Sequence, residues 1–376
     1  MRDGRGRGRW ITVAAVGAAA WVTGCSGTGG AGGSGGDGGS ALSAEGEPRE
    51  GGRWVNGQWV AARFDRPVDR SGLRERAVDL LNEGFRSPSP ETRANALEAL
   101  SASAGRLEPA ARQGLSDENA GVRSVAATLV GRERLAGLQT QVWPLVRDPS
   151  PYVRMSALYA LWATGASPDP TPIGDALLRD PSPHVRAHAA FVLGEMGNPS
   201  ALAMLRQAAV ESRQPGSEAE RRVLELQIAE AMVKLGDTEQ IQTLRSALYP
   251  SRPEELEATL LALQALGNVG ERRQIDELVA VAGFRDETGR GMPPEIQLTA
   301  ARSLVKLGET GATRYADELR FDGSERVRAL AAFVYGESSR LETLPKLDAM
   351  LDDPSERVRM AAAAGILRVA DRVGGR

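Results

Sequence analysis

Hydrophobic and polar positions along this chain repeat with a long period. Taking the valine of a recurrent Val-Arg pair, or its counterpart, as an anchor places them at Thr92, Val122, Val153, Val185, Leu224, Ala258, Ile296, Val327 and Val358, at intervals of 30 to 39 residues. Four residues after each anchor stand Ala96, Ala126, Ala157, Ala189, Ile228, Ala262, Ala300, Ala331 and Ala362, and eight after it an apolar or aromatic side chain from Leu100 to Ile366. Offsets of 0, 4, 8 and 11 trace one face of a helix, so each unit opens with an amphipathic helix, and the alanine predicts close approach to a neighbour. A fixed period of this length is the mark of a repeat architecture.

Each first helix is bracketed. Asp-Pro-Ser-Pro-Tyr-Val-Arg at 148–154 returns as Asp-Pro-Ser-Pro-His-Val-Arg at 180–186, supplying cap and first-turn residues, while Gly165, Gly197, Gly236, Gly270 and Gly308 follow as stop signals. A second apolar stretch comes next, as in Ile241, Leu244 and Leu248 or Leu341, Leu344 and Leu347. The unit is a helix pair. One pair cannot bury its apolar face, but a stack can, which predicts an all-α chain: an α-solenoid of about nine such pairs over residues 70–376.

The units resemble HEAT repeats, in particular the short variety also found in phycobilin lyases, with Asp-Pro-x-x-x-Val-Arg-x-x-Ala-Ala-x-x-Leu-Gly-x-x-Gly as the pattern; residues 180–197 match it nearly throughout. The resemblance implies the fold and a protein-binding scaffold. The lyases among such proteins supply the alternative, an enzyme accessory or lyase-like protein.

Residues 1–24 read differently. Arg2, Arg5, Arg7 and Arg9 precede an apolar run over 11–22 and then Val22-Thr23-Gly24-Cys25. The run is too short to span a bilayer and resembles a bacterial lipoprotein signal peptide. By that resemblance Cys25 becomes the lipidated first residue, anchoring an exported protein in the cell envelope. Ser26, where an inner-membrane retention Asp would stand, favours the outer membrane. Residues 25–52 hold the cysteine and a Gly/Ser-rich stretch, with 12 glycines between Ser26 and Gly52. Such a composition forms no core and gives a flexible tether with a reach on the order of 30 Å. Over 53–69, two Trp-Val pairs flank Asn56-Gly57, the preferred centre of a tight hairpin. A small β-hairpin capping the first repeat is expected there.

Charge and cysteine count narrow the chemistry. Without residues 1–24 the chain carries 42 basic and 48 acidic residues, a mildly acidic balance that argues against nucleic acid as a partner. Cys25 is the only cysteine, which excludes an internal disulfide. The recurrent Arg93, Arg123, Arg154, Arg186, Arg328 and Arg359 are assigned to pairing with the turn aspartates 148, 180, 322 and 353 and not to an anion ladder. His184 and His188 have no third ligand in any metal motif and are expected to face solvent. No catalytic residue, cofactor or metal is assigned.

Partner contacts are therefore sought where the pattern breaks. Glu225, Thr259 and Gln297 replace the recurrent arginine, and insertions before the first helices carry Arg213, Phe284 and Arg285. A second expectation places the second helices on the concave side, with Trp143, Arg206, Arg245 and Tyr249 available to a protein partner.

Overall fold

The computed structural model describes residues 52–55, 58–61, 64, 67–210, 216–269 and 272–374. Cys25, the tether, Asn56-Gly57, Arg213 and Gly270 lie outside the described residues. Two short strands, β1 (Gly52–Val55) and β2 (Gln58–Ala61), pair antiparallel with Trp54 opposite Trp59, which gives the expected hairpin.

Eighteen α-helices follow among the described residues. The first nine are α1 (Pro67–Gly84), α2 (Pro90–Leu100), α3 (Ala104–Gly114), α4 (Ala120–Arg132), α5 (Gln139–Val142), α6 (Pro151–Ala163), α7 (Thr171–Arg179), α8 (Pro183–Met196) and α9 (Leu202–Val210). The others are α10 (Glu218–Lys234), α11 (Ile241–Arg245), α12 (Leu256–Val269), α13 (Ile275–Ala282), α14 (Pro294–Lys306), α15 (Thr313–Leu319), α16 (Glu325–Ser338), α17 (Leu344–Met350) and α18 (Glu356–Gly374). The anchors fall on the nine even-numbered helices, and the odd-numbered ones from α3 to α17 are the second helices of each unit.

Local chemistry sets the boundaries. Ser89 Oγ accepts from Thr92 N at 3.3 Å, Asn119 Oδ1 from Gly121 N at 2.8 Å, and Ser217 with Glu220 forms a reciprocal capping box. Twelve residues after the anchor the backbone turns left-handed: Gly165, Gly197, Gly236 and Gly308 take this conformation, and so do Arg134 and Ser339. Glycine adopts it without steric cost, whereas Arg134 and Ser339 bear one.

The solenoid closes on itself. Even-numbered helices pack in sequence from α2 to α18, and α18 then packs against both α2 and α1. Helix α1 contacts α18 more extensively than α2 and occupies the ninth outer position, the one no helix after α18 fills. Arg76 reaches Asp348 at 3.0 Å and Asp352 at 2.6 Å across this seam, Thr92 Oγ1 donates to Glu356 at 3.2 Å, and Arg357 pairs with Glu91. Nine pairs sharing one full turn rotate about 40° each. The first face that the hairpin was expected to cap is covered by α18.

Even-numbered helices form the inner ring, which corrects the placement of the second helices on the concave side. Their middle turns are buried on every face, as in α8, where eleven of fourteen residues are buried. Each presses directly on the next. A Cβ on Gly131 would lie 2.6 Å from Tyr159 and one on Gly194 3.0 Å from the Ala231 backbone, while at Gly336 it would meet the Gly365 Cα at 2.4 Å. Residues nine after the anchor thus face the next inner helix, and the anchors with offsets 4 and 8 face the outer layer. The stripe at offsets −1, 3, 6 and 10 is left facing the ring axis.

Candidate interaction sites

Between regular units the joint is a charged clasp. Arg123 donates through Nε and Nη2 to the two carboxylate oxygens of Asp148 at 2.9 and 3.1 Å, and through Nη1 to its own turn at Asp117 O and Glu118 O. Arg93 repeats this with Asp117, and Arg328 with Asp353. The arginine of one unit thus holds the aspartate of the next, as expected. In two others, Arg154 and Arg359, Nη1 donates to carbonyls of the same unit's turn. Arg186 instead donates through Nε to Leu177 O.

From α10 to α14 both halves of the clasp are gone. Glu225 and Thr259 stand in the arginine positions, and Pro253 and Gly291 in the matching aspartate positions. A groove of about 800 Å³ opens at the α10/α12 joint, lined among others by Ser217, Arg222, Glu225, Tyr249, Arg252 and Thr259. Its polar wall is locally satisfied: Arg252 pairs with Glu218 at 2.9 Å and Glu255 at 3.0 Å, and Arg222 with Glu225 at 2.7 Å. Tyr249, 51% exposed, and Phe284, 37% exposed, come from successive joints and meet edge to face at 6.2 Å. Burying these two rings is the groove's main available gain.

The other expected contact residues fare differently. Trp143 is exposed at the start of a short helical turn on the outer layer. Arg206 is engaged by Asp237 at 2.9 Å and Arg245 by Glu277, so both join neighbouring outer elements. Arg285 donates to Phe284 O and bridges Gly291, closing a tight loop in which Asp286 accepts from Thr288 N and Arg290 N. The structure joins Tyr249 with Phe284 but leaves Trp143 apart.

Both histidines lie on the axial stripe, where His184 stays partly exposed and His188, against expectation, does not reach the surface. His188 is fully buried, 3.2 Å from Ser156 Oγ, with Tyr152 against it edge-on and Phe191 stacked. Ser156 in turn accepts from Thr128 at 3.0 Å and lies 2.9 Å from Ser124 Oγ. Burial, aided by the charge of Asp180, pushes the Tyr152 phenol up to about 12. His184 Nε2 is 3.1 Å from Glu220, which its partners Ser217 and His184 hold below the usual carboxylate range.

At the opposite mouth a charge arc that the sequence did not announce links several inner helices. Arg132 (α4) and Lys234 (α10) meet Glu195 (α8) at 3.4 and 2.9 Å, and Lys234 also meets Glu230 at 2.9 Å. Burial disfavours this ammonium, but Glu230 and Glu195 outweigh it and raise the Lys234 pKa. Asn268 donates to Glu230 at 3.4 Å and accepts from Lys306, and Arg302 approaches Glu337 at 3.6 Å. Nine parallel helices end here, so basic residues offset their aligned dipoles, as Glu91, Glu257 and Glu325 do at the N-terminal mouth. Among the described residues no group of three or more His, Cys, Asp or Glu could hold a metal, and no helix is long and apolar enough to cross a membrane.

Family profiles described as HEAT repeats match residues 139–224 and 170–264, and one described as HEAT repeat matches 343–373. With the helix pairs and the nine-unit period, this gives an α-solenoid of HEAT-like helix pairs, the HEAT match itself covering residues 139–264 and 343–373. Human deoxyhypusine hydroxylase is similar at 20% identity, covering 69% of this chain and 95% of its own, with a TM-score of 0.36. The phycocyanin lyase complex of CpcE and CpcF from Nostoc is similar at 18% identity, covering 78% and 98%, with a TM-score of 0.38. No curated protein sequence matches the chain.

Proposed function

We propose that this protein is a lipid-anchored scaffold of the bacterial cell envelope that holds a protein partner on the outside of its ring and performs no chemistry of its own. The anchor is Cys25, with outer-membrane sorting, and the tether holds the ring clear of the lipid surface. The observation that carries the binding reading is the exposed Tyr249–Phe284 pair beside the groove, at the joints where the clasp has been lost. Exposed aromatics beside an open groove are the residue types on which protein interfaces concentrate their energy.

Two measurements test the two halves separately. Mass spectrometry of the mature N-terminus is expected to find an acylated Cys25, and an unmodified cysteine rejects the anchor. In-cell cross-linking is expected to capture one envelope protein that Tyr249→Ala with Phe284→Ala loses, since removing a central aromatic pair typically costs more than about 2 kcal/mol of binding. Equal capture by parent and double variant rejects the groove.

A further inference from the structure

The axial mouth formed by the C-terminal ends of the inner helices contains a lysine whose ammonium makes no direct ion pair among the described residues. Lys306 Nζ donates to the amide oxygen of Asn268, and no carboxylate of the described residues lies within ion-pair distance of it. Its side chain reaches solvent, yet protein crowded around the ammonium pushes its pKa down. Glu337 is the strongest charge opposing this, Arg302 and Lys234 push the same way as burial, and Glu230 opposes it less. One helical turn earlier on α14, Arg302 lies on the same face, where residues four apart stand about 5–6 Å from each other. Its guanidinium covers the Phe333 ring at 5.2 Å, and that of Arg368 approaches the same ring at 5.9 Å. Phe333 thus holds two guanidiniums beside an ammonium, with Glu337 on Arg302 as the nearby carboxylate.

We propose that this mouth is a binding site for a small multivalent oxyanion, held between Lys306 and Arg302. Two oxygens on one centre, or two carboxylates a few ångströms apart, suit this pair. The guanidinium offers a planar fork and the ammonium a point charge, and each hydrogen bond to an ionised group exceeds a neutral one. The anion would relieve the repulsion between Lys306 and Arg302. The site exists only because the ring brings α10, α12, α14 and α16 round a common axis.

The full-length protein, titrated calorimetrically with inorganic phosphate and, separately, with succinate at constant ionic strength, is expected to bind one of them saturably at one site. Affinity should fall at least tenfold in Lys306→Gln and in Arg302→Gln, and stay unchanged in Arg179→Gln on the outer layer. Phosphate alone binding assigns a phosphoryl ligand, and succinate alone a dicarboxylate. Amine-selective labelling of the parent, read by mass spectrometry, gives a check that needs no variant: the anion should protect Lys306. Absence of saturable binding for both anions, unchanged affinity in Lys306→Gln, or labelling of Lys306 indifferent to the bound anion overturns the site.

Discussion

Deleting α1 opens the ring. A chain beginning at Phe85 is expected to melt at least about 5 °C lower than the parent and to show a larger radius of gyration in small-angle scattering. The reason lies in what α1 covers: Leu73, Val78 and Leu81 are buried, and Gly84 comes so close to α18 that a Cβ there would lie 2.5 Å from the Met360 sulfur. Each large aliphatic side chain contributes about 1.5–3 kcal/mol on burial. Its loss also exposes the faces of α18 and α2 that now meet it. In an open solenoid the end units have one neighbour each and fray first, whereas closure gives every inner helix two. A synthetic peptide of residues 64–86 added in trans should restore part of the lost melting temperature. A truncated chain with parental melting and parental dimensions would show that closure contributes nothing.

That closure was not legible in the sequence, for a physical reason. Repeat period, helix starts and stops and the Trp54–Trp59 hairpin are local patterns, written within a unit or between adjacent ones. The seam joins residues 264 to 276 positions apart, through Arg76 with Asp352 and Thr92 with Glu356, and each of these alone resembles an ordinary surface residue. Helix α1 lacks the Asp-Pro-Ser-Pro phrase, so it reads as a preamble and not as the partner of the last unit.

The inversion of inner and outer layers had a signal. The first helices carry small residues on the side facing the next unit, at Gly131, Gly194, Gly267 and Gly336, as well as the alanines on the apolar face. A helix that small residues let pack on several sides belongs inside. The same stripe counting would have put His188 on the axis. The charge arc was harder, because Arg132, Glu195 and Lys234 lie 63 and 39 positions apart and meet only once the first helices stack as the inner layer. Phe284 was found because its joint breaks the phrase and Tyr249 as an aromatic of a second helix, and the groove that Tyr249 lines follows from the missing clasp.

Breaking one intact clasp should cost far more than its surface position suggests. Arg123→Met is expected to destabilise the protein by about 3–5 kcal/mol, because it leaves Asp148, only 8% exposed, without its counter-charge and the Asp117 and Glu118 carbonyls without their shared donor. The outer pair Arg179–Asp175, with both side chains more than half exposed, should cost no more than about 0.5 kcal/mol when Arg179 is replaced. Arg123→Lys should recover little, since a single ammonium cannot serve two carboxylate oxygens and a turn at once. Adding Asp148→Ala to Arg123→Met should cost less than the sum of the single changes, since the stranded charge goes with it. Acid gives an independent arm through Asp117 and Asp353. Burial opposes their ionised forms, but Arg93 and Arg328, with backbone N–H donors, hold both below the unfolded carboxylate value of 3.8. Their contribution is therefore complete above that value and is lost as pH falls through the lower folded values. Urea titrations across that window should show the parent losing stability faster than an Asp117→Asn variant. Matching slopes, or a strictly additive Arg123/Asp148 cycle, would mean that the clasp is geometry without energy.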